Sequence, residues 1–508
     1  MKFGYKHLFP DKASLRRITF IIGTAIMLFS CTATKQVYHP DKKFSKQQLQ
    51  QDYSLLRNIL EKKHPSLYWY TSKDSMDIFF NNYYNAIEDS MTEQQFGWKI
   101  LAPLTDKIHC GHTSFNMSKA FNKWVSNKRF ASFPLFMKVW NDTMAVTQNL
   151  NRKDSIFKRG TIVTAINGMR NRELIEKLFG YMTEDGAANN VNYVRLSSNF
   201  PYYHRNVFGY YKEYSVKYID SAGAEKTTKL PLYEWPKDSA EKKDKAVVVK
   251  KAKAERKKER LESLFSIKID SSANTAIVTI NTFSSGKLRR FLRQSFHRIK
   301  NDDIKNVVID IRSNGGGKMK LSTLLTKYVS RVPFKIADTA FAITNTLAPY
   351  SRYIQSGFLN NIGLFLSSKK KKDGNYHFGY WERKKFALKK TNHFYGNLYI
   401  LTNGPTFSAS TLFCNTMKGQ KNVLLVGEET GGGWHGNSGI MIPDITLPNT
   451  KLRVRLPLFR LIQWNHIAKT GTGVIPDIFI PTSYEALLRG YDKKMKVVME
   501  MITANKPL

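Results

Sequence analysis

Apolar residues at Leu49, Tyr53, Leu56 and Leu60 follow helical spacing, and Ser45 with Gln48 three positions on forms a capping signature ahead of them. This predicts a helix that stops at His64-Pro65, because the residue before a proline is pushed towards extended geometry. Thr92 with Gln95 repeats the signature before Phe96, Ile100 and Leu104, and predicts a second helix running into Asp106-Lys107-Ile108-His109-Cys110-Gly111-His112-Thr113. The period then changes. Residues 133–147 alternate around Asn141-Asp142 and read as a hairpin; residues 160–168 read as strand, turn, strand, with a short helix over 173–179. Residues 237–262 are dense in Lys, Arg and Glu and predict an exposed linker. From about residue 266 strands and helices alternate. Thr275–Ile280 is a strand, Leu288, Phe291, Leu292, Phe296 and Ile299 mark an amphipathic helix, and Asn306–Ile311 and Leu398–Thr402 are near-continuous apolar strands. The chain thus divides into a helical region at 31–127, a small β-rich module at 128–235, a charged linker at 236–265 and an α/β domain at 266–490. Alternating β and α units place the site of such a domain at the carboxyl ends of its strands.

Composition narrows the picture. Hydrophobic residues at 42% suffice to bury a core, so a disordered chain is excluded. Three cysteines in 508 residues exclude a disulfide scaffold or a cysteine-based zinc module. The net charge of +40 raises polyanions as partners, densest at Lys237–Arg260 and Lys369–Lys372. The excess is otherwise spread along the chain, and no zinc-finger spacing, basic zipper or aromatic-interleaved RNA motif accompanies it, so nucleic acid is not expected as a partner. Lys2, Lys6, Arg16 and Arg17 precede a short apolar run, Ile18–Phe29, which reads as an export signal over residues 1–30. Leu28-Phe29-Ser30-Cys31 resembles the bacterial lipoprotein signal, which implies lipidation of Cys31. The protein is then expected outside the cytoplasm in the cell envelope, held to a membrane by its N-terminal lipid. Cys110 and Cys414 remain, and two unpaired buried thiols are expected of them.

Three segments carry candidate chemistry. Asp310-Ile311-Arg312-Ser313-Asn314-Gly315-Gly316-Gly317 empties a buried strand into glycines, whose backbone N–H groups can face a phosphate or an oxyanion. Asn403-Gly404-Pro405-Thr406-Phe407-Ser408-Ala409-Ser410 ends another core strand in a turn and opens a helix with a serine. A hydroxyl there feels the positive end of the helix dipole; it suits a nucleophile and equally suits a plain N-cap. His112, in the turn after the second helix, supplies an imidazole that could take the serine proton. No His-Glu-x-x-His helix or comparable ligand cluster is present, so neither a metal nor another cofactor is expected.

Taken in order these segments resemble the S41 peptidases, the tail-specific or C-terminal-processing protease family. The resemblance rests on Asp310–Gly317, Thr406–Ser410, Val426–Gly433 (VGEETGGG) and Gly473–Asp477 (GVIPD). His64–Tyr68 and Cys110–Thr113 resemble the front end of its tricorn and interphotoreceptor-binding-protein-like branch. It implies a ClpP/crotonase-like α/β catalytic domain, an N-terminal helical domain and a PDZ-like module. It further implies a serine peptidase that cleaves peptides or unfolded proteins. Ser408 would be nucleophile, His112 base, and Ala409, Gly315 and Gly316 oxyanion donors. Glu428 and Glu429 are the candidates to orient the histidine. Where the processing branch carries its lysine base this chain has Gly433, and Thr411 stands where an acid is common. These departures motivate a second reading, a catalytically inactive peptide-binding homologue. A surface-anchored polyanion binder using Lys237–Arg260 is the third.

Overall fold

The computed structural model describes residues 38–236, 252–464, 466 and 468–504. The chain divides into two compact units, Met1–Asp41 and Lys42–Leu508, and only residues 38–41 of the first are described. The expected export signal, the lipid-acceptor Cys31 and residues 237–251 of the charged stretch lie outside the described residues. No helix among the described residues is long and apolar enough to cross a membrane.

A six-stranded sheet organises the second unit. Its strands, in spatial order, are Phe265–Asp270, Thr275–Ile280, Asn306–Asp310, Asn397–Thr402, Val423–Gly427 and Ile478–Phe479. The first pair is antiparallel and every later pair parallel. Both faces are covered, which explains the near-continuous apolar runs. Val307, Ile309, Leu398 and Ile400 face the helices Leu288–Asn301, Met319–Val329 and Ala409–Met417. Val308, Tyr399 and Leu401 point the other way, against Val498 and Ile502 of the helix Lys493–Thr503. Asp310 pairs with Leu401, so the loops that follow Asp310 and Thr402 leave the sheet side by side.

The capping boxes at Ser45 and Thr92 both form. The first opens the helix Lys46–Lys63; the second opens a helical run that widens into a π turn at Gly97–Leu101 before Ala102–Asp106. These helices share their core with distant sequence: Leu49, Tyr53 and Leu56 pack in one cluster with Ile445, Leu452, Val454 and Phe459. Buried Asp52 secures the contact by accepting from Asn449 N, Thr450 N and Thr450 Oγ1. Residues 135–231 form an antiparallel sheet ordered Leu135–Trp140, Thr143–Asn149, Ile162–Ile166, Glu213–Ile219, Glu225–Pro231. The helix Asn190–Phe208, bent at Asn199 ahead of Pro201, lies over its first strand.

Three features differ from the sequence expectation. The six-stranded sheet begins at Phe265, inside the stretch assigned to the linker, because Phe265 pairs with Ile280 and is buried. The described end of that stretch, Lys253–Glu262, is a helix, exposed over residues 255–260. A further five-stranded sheet, ordered Lys369–Lys370, Tyr376–His377, Ala337–Ala342, Phe459–Gln463, Gly436–Gly439, had no periodic signal. Cys110 and Cys414 are free and buried.

Candidate active site

The two loops leaving the sheet are stitched together before either side chain is considered. Thr406 Oγ1 donates to Ile311 O at 3.1 Å, and Phe407 N donates to Asn314 O at 3.2 Å. Buried Asn314 holds the glycine loop in turn: its Nδ2 donates to Ile280 O, and its Oδ1 accepts from Gly316 N, both at 2.9 Å. Gly316 sits at φ 95°, and a Cβ there would lie 2.7 Å from Phe407 O and 2.8 Å from Ser408 Cβ. Only glycine lets the loop come this close to the serine.

Ser408 follows at φ 57° and ψ −119°, a backbone region rarely occupied by a residue with a side chain and worth about 1–3 kcal/mol of strain. It is the residue immediately before the helix Ala409–Met417, yet its hydroxyl caps nothing. Ser408 Oγ lies instead 3.0 Å from His112 Nε2. The chain folds 296 positions of sequence to make this contact. The strain and the unused capping role separate this serine from an ordinary N-cap, which is extended and bonds the first turn.

His112 is 4% exposed, and its ring packs against Phe407 with centroids 4.8 Å apart. Burial, reinforced by Arg455 and Arg195, pushes its pKa down to about 3, so the ring is neutral at physiological pH. Its Nδ1 is buried with no hydrogen-bond partner among the described residues. Neither glutamate proposed to orient it does so. Glu428 bonds Lys494 Nζ at 2.5 Å and Thr482 N at 3.2 Å, and Glu429 accepts from Gly473 N at 2.5 Å. Both carboxylates secure the chain's late segment rather than the imidazole. Lys418, nearer in sequence to the serine, is held by Asp477.

The residue that does tie the histidine turn to the glycines was not anticipated. Asp185, 2% exposed, accepts from Gly111 N at 2.8 Å and from Gly433 N at 3.2 Å. Burial pushes its pKa up to about 7, against the pull of those two N–H groups. Glycine at 111 lets the turn seat against the Phe407 ring, whose Cζ a Cβ would meet at 2.6 Å. Asp185 carries no motif; only the fold brings residues 111, 185 and 433 together.

Of the three expected oxyanion donors, Gly316 is excluded as a free one, because its N–H is already given to Asn314. Ala409 N, first in its helix, has no intrahelical acceptor. Gly315 is exposed, and no hydrogen bond engages its N–H among the described residues. Beside Ser408 opens a cavity of about 370 Å³ with apolar walls from Met319, Leu321, Trp381, Leu412 and Leu461 and a basic rim of Arg289, Lys318 and Lys320. Asn437 also lines it, with a buried Nδ2 that has no partner. No group of His, Cys, Asp or Glu among the described residues is arranged to hold a metal.

Residues 274–480 match the family model for peptidase family S41. That segment spans the six-stranded sheet from its second strand and includes both stitched loops. The fold of the chain is similar to the crystal structure of mature CPAF, with TM-score 0.60 and 13% identity over 91% of this chain and 98% of that one. It is equally similar to the structure of mature CPAF complexed with lactacystin, with TM-score 0.61, 13% identity, and coverage of 91% and 99%. At this identity the likeness is one of fold. No curated protein sequence matches the chain.

Proposed function

We propose that this protein is an S41-type serine peptidase acting on peptides or unfolded proteins, with Ser408 as nucleophile and His112 as its base. The observation that carries the reading is the 3.0 Å contact between Ser408 Oγ and His112 Nε2, made by a strained serine that declines its capping role. In the base-competent tautomer the serine hydroxyl donates to Nε2. Oγ attacks the peptide carbonyl carbon as Nε2 takes its proton, and the carbonyl oxygen becomes an oxyanion. Ala409 N and Gly315 N are the proposed donors to that charge, each worth about a hundred- to a thousandfold in rate. The imidazolium then protonates the leaving amine, and water completes the cycle through the same base. The apolar cavity takes a substrate side chain, and Asn437 Nδ2 is a donor for a backbone carbonyl beside it. The proposal extends to a cell-envelope location with Cys31 as lipid acceptor, on the strength of the N-terminal sequence.

A fluorophosphonate probe tests the site directly. It is expected to label the protein at Ser408, and Ser408→Ala should lose both labelling and peptide cleavage with an unchanged melting temperature. An inactive peptide-binding homologue is the second reading, favoured by the unpartnered His112 Nδ1 and by Gly433 in place of the family lysine. Absence of labelling in the folded protein would decide for it.

A further inference from the structure

The helix Gly357–Ser367 lies on the surface with its polarity inverted. Its polar residues tie it to the protein: Asn361 Oδ1 accepts from Leu347 N at 2.6 Å, and Asn360 Nδ2 donates to Gln355 O at 2.8 Å. Gly357 and Leu364 are its buried positions. Five of its apolar residues face solvent instead. Phe358, Leu359, Ile362, Phe365 and Leu366 are 75%, 68%, 40%, 65% and 76% exposed. Phe358, Ile362, Phe365 and Leu366 stand at i, i+4, i+7 and i+8, and Leu359 lies three and seven positions before Ile362 and Leu366, so these side chains form a single band. Four lysines follow at once, Lys369–Lys372, all exposed. Lys371 bridges Glu382 at 2.7 Å; Lys369, Lys370 and Lys372 make no ion pair among the described residues. From Ser351 to Lys372 the sequence contains no acidic residue, and Arg352 adds a further cation at the other end.

We propose that this surface docks on an anionic lipid bilayer, the apolar stripe entering the headgroup boundary while the lysines lie over lipid phosphates. An apolar band flanked by cations is the anatomy of an interfacial helix, whose binding combines buried area with attraction to anionic headgroups. Charge decides among the occupants. A second copy of this face offers no acidic residue between Ser351 and Lys372 to pair with the lysines. A nucleic acid would meet the lysines but offer no apolar phase to five hydrocarbon side chains. The helix is also close to the chemistry: Gly363 lies against Met441, whose neighbours Ile440 and Ile442 line the Ser408 cavity. Docking therefore holds the cavity beside the membrane. The proposal stands whether or not Ser408 is active.

The test uses the full chain carrying Cys31→Ser, which removes the expected lipid acceptor, and Leu359→Cys labelled with an environment-sensitive fluorophore. Cys110 and Cys414 are buried and leave residue 359 as the reporter. Vesicles of phosphatidylglycerol and phosphatidylcholine are expected to shift the emission to the blue, pure phosphatidylcholine far less, and added salt should reverse the shift. Each lysine near an anionic surface strengthens partition by about fivefold, so K369Q/K370Q/K372Q, which spares the Lys371–Glu382 bridge, should weaken it about a hundredfold. F358S/F365S/L366S alters exposed side chains only and should abolish the shift with an unchanged melting temperature. An unshifted label on vesicle-bound protein, or equal response to neutral and anionic vesicles, overturns the proposal. A shift that grows with protein concentration without lipid overturns it in favour of self-association.

Discussion

The His112 ring presents Nε2 to Ser408 at 3.0 Å and seals Nδ1 where no acceptor reaches it. In the proposed peptidase these two facts act in opposite directions on catalysis. Burial keeps the imidazole neutral, so it is ready to accept a proton well below the pH at which an exposed histidine would be lost to protonation. The same burial leaves the imidazolium without a counter-charge, which weakens the base in the transition state. The expected outcome is modest turnover with an unusually acid-tolerant profile. In the free enzyme kcat/KM should stay level down to about pH 5 and fall only towards the ring's value of about 3. The rate of fluorophosphonate labelling should follow the same limb. A limb near the ordinary imidazole value of about 6.5 would show that the ring is solvated or acid-paired in the working enzyme. His112→Ala should cost about a hundred- to ten-thousandfold in kcat, the range for a positioned general base.

At the scale of elements, the site is an agreement between three segments that the sheet alone does not enforce. The strands ending at Asp310 and Thr402 set the glycine loop beside the serine, but the histidine arrives from a turn outside the sheet. Asp185 fastens that turn to Gly433. Asp185→Ala leaves two buried N–H groups without acceptors, at about 1–3 kcal/mol each in stability. It also frees the imidazole to drift, so kcat should fall about ten- to a hundredfold while KM changes little. Asp185→Asn keeps one acceptor and should recover part of kcat; equal losses in both variants would reduce Asp185 to a purely structural role. This element shows where sequence reading stops. Strands 306–310 and 397–402 were legible because burial on both faces leaves continuous apolar runs, and the segments around Ser408 and His112 were legible as motifs. Asp185 was not, because one carboxylate among forty acidic residues gains meaning only when folding buries it between two amides. Glu428 and Glu429 misled for the converse reason. They are neighbours of Gly431–Gly433 in sequence, but Glu428 N bonds Thr402 O and carries that stretch along the sheet edge towards residues 473–494. The five-stranded sheet hid because strands such as Gly436–Gly439 have no apolar alternation to read.

Over the whole molecule, the interior holds titratable groups whose shifts oppose one another. Burial lowers the pKa of His64 and His112 to about 3 and of His204 to about 4. It raises Asp106 to about 6 and Asp185 to about 7. For the histidines the unfolded chain binds more protons between their folded values and about 6.5, so their contribution is present above that value and is lost on acidification. For the aspartates the folded chain holds the extra proton, so they favour the fold at low pH and lose that contribution as pH rises through about 6 to 7. Three histidines outweigh two aspartates near pH 5, and stability should decline from neutrality towards pH 4 with a slope the aspartates soften. His204 isolates the effect, because it lies far in sequence from Ser408 and His112 and its ring stacks on Phe133 at 5.4 Å, with Nδ1 unpartnered among the described residues. Phenylalanine matches that ring in shape and has nothing to protonate. His204→Phe should therefore be close to neutral at pH 7.5 and should gain about 2 kcal/mol over the parent at pH 4.5, read from denaturant midpoints at the two values. A variant that loses stability equally at both would mean that His204 is held by a polar interaction rather than merely tolerated among aromatic rings, and the acid decline would then belong to other groups.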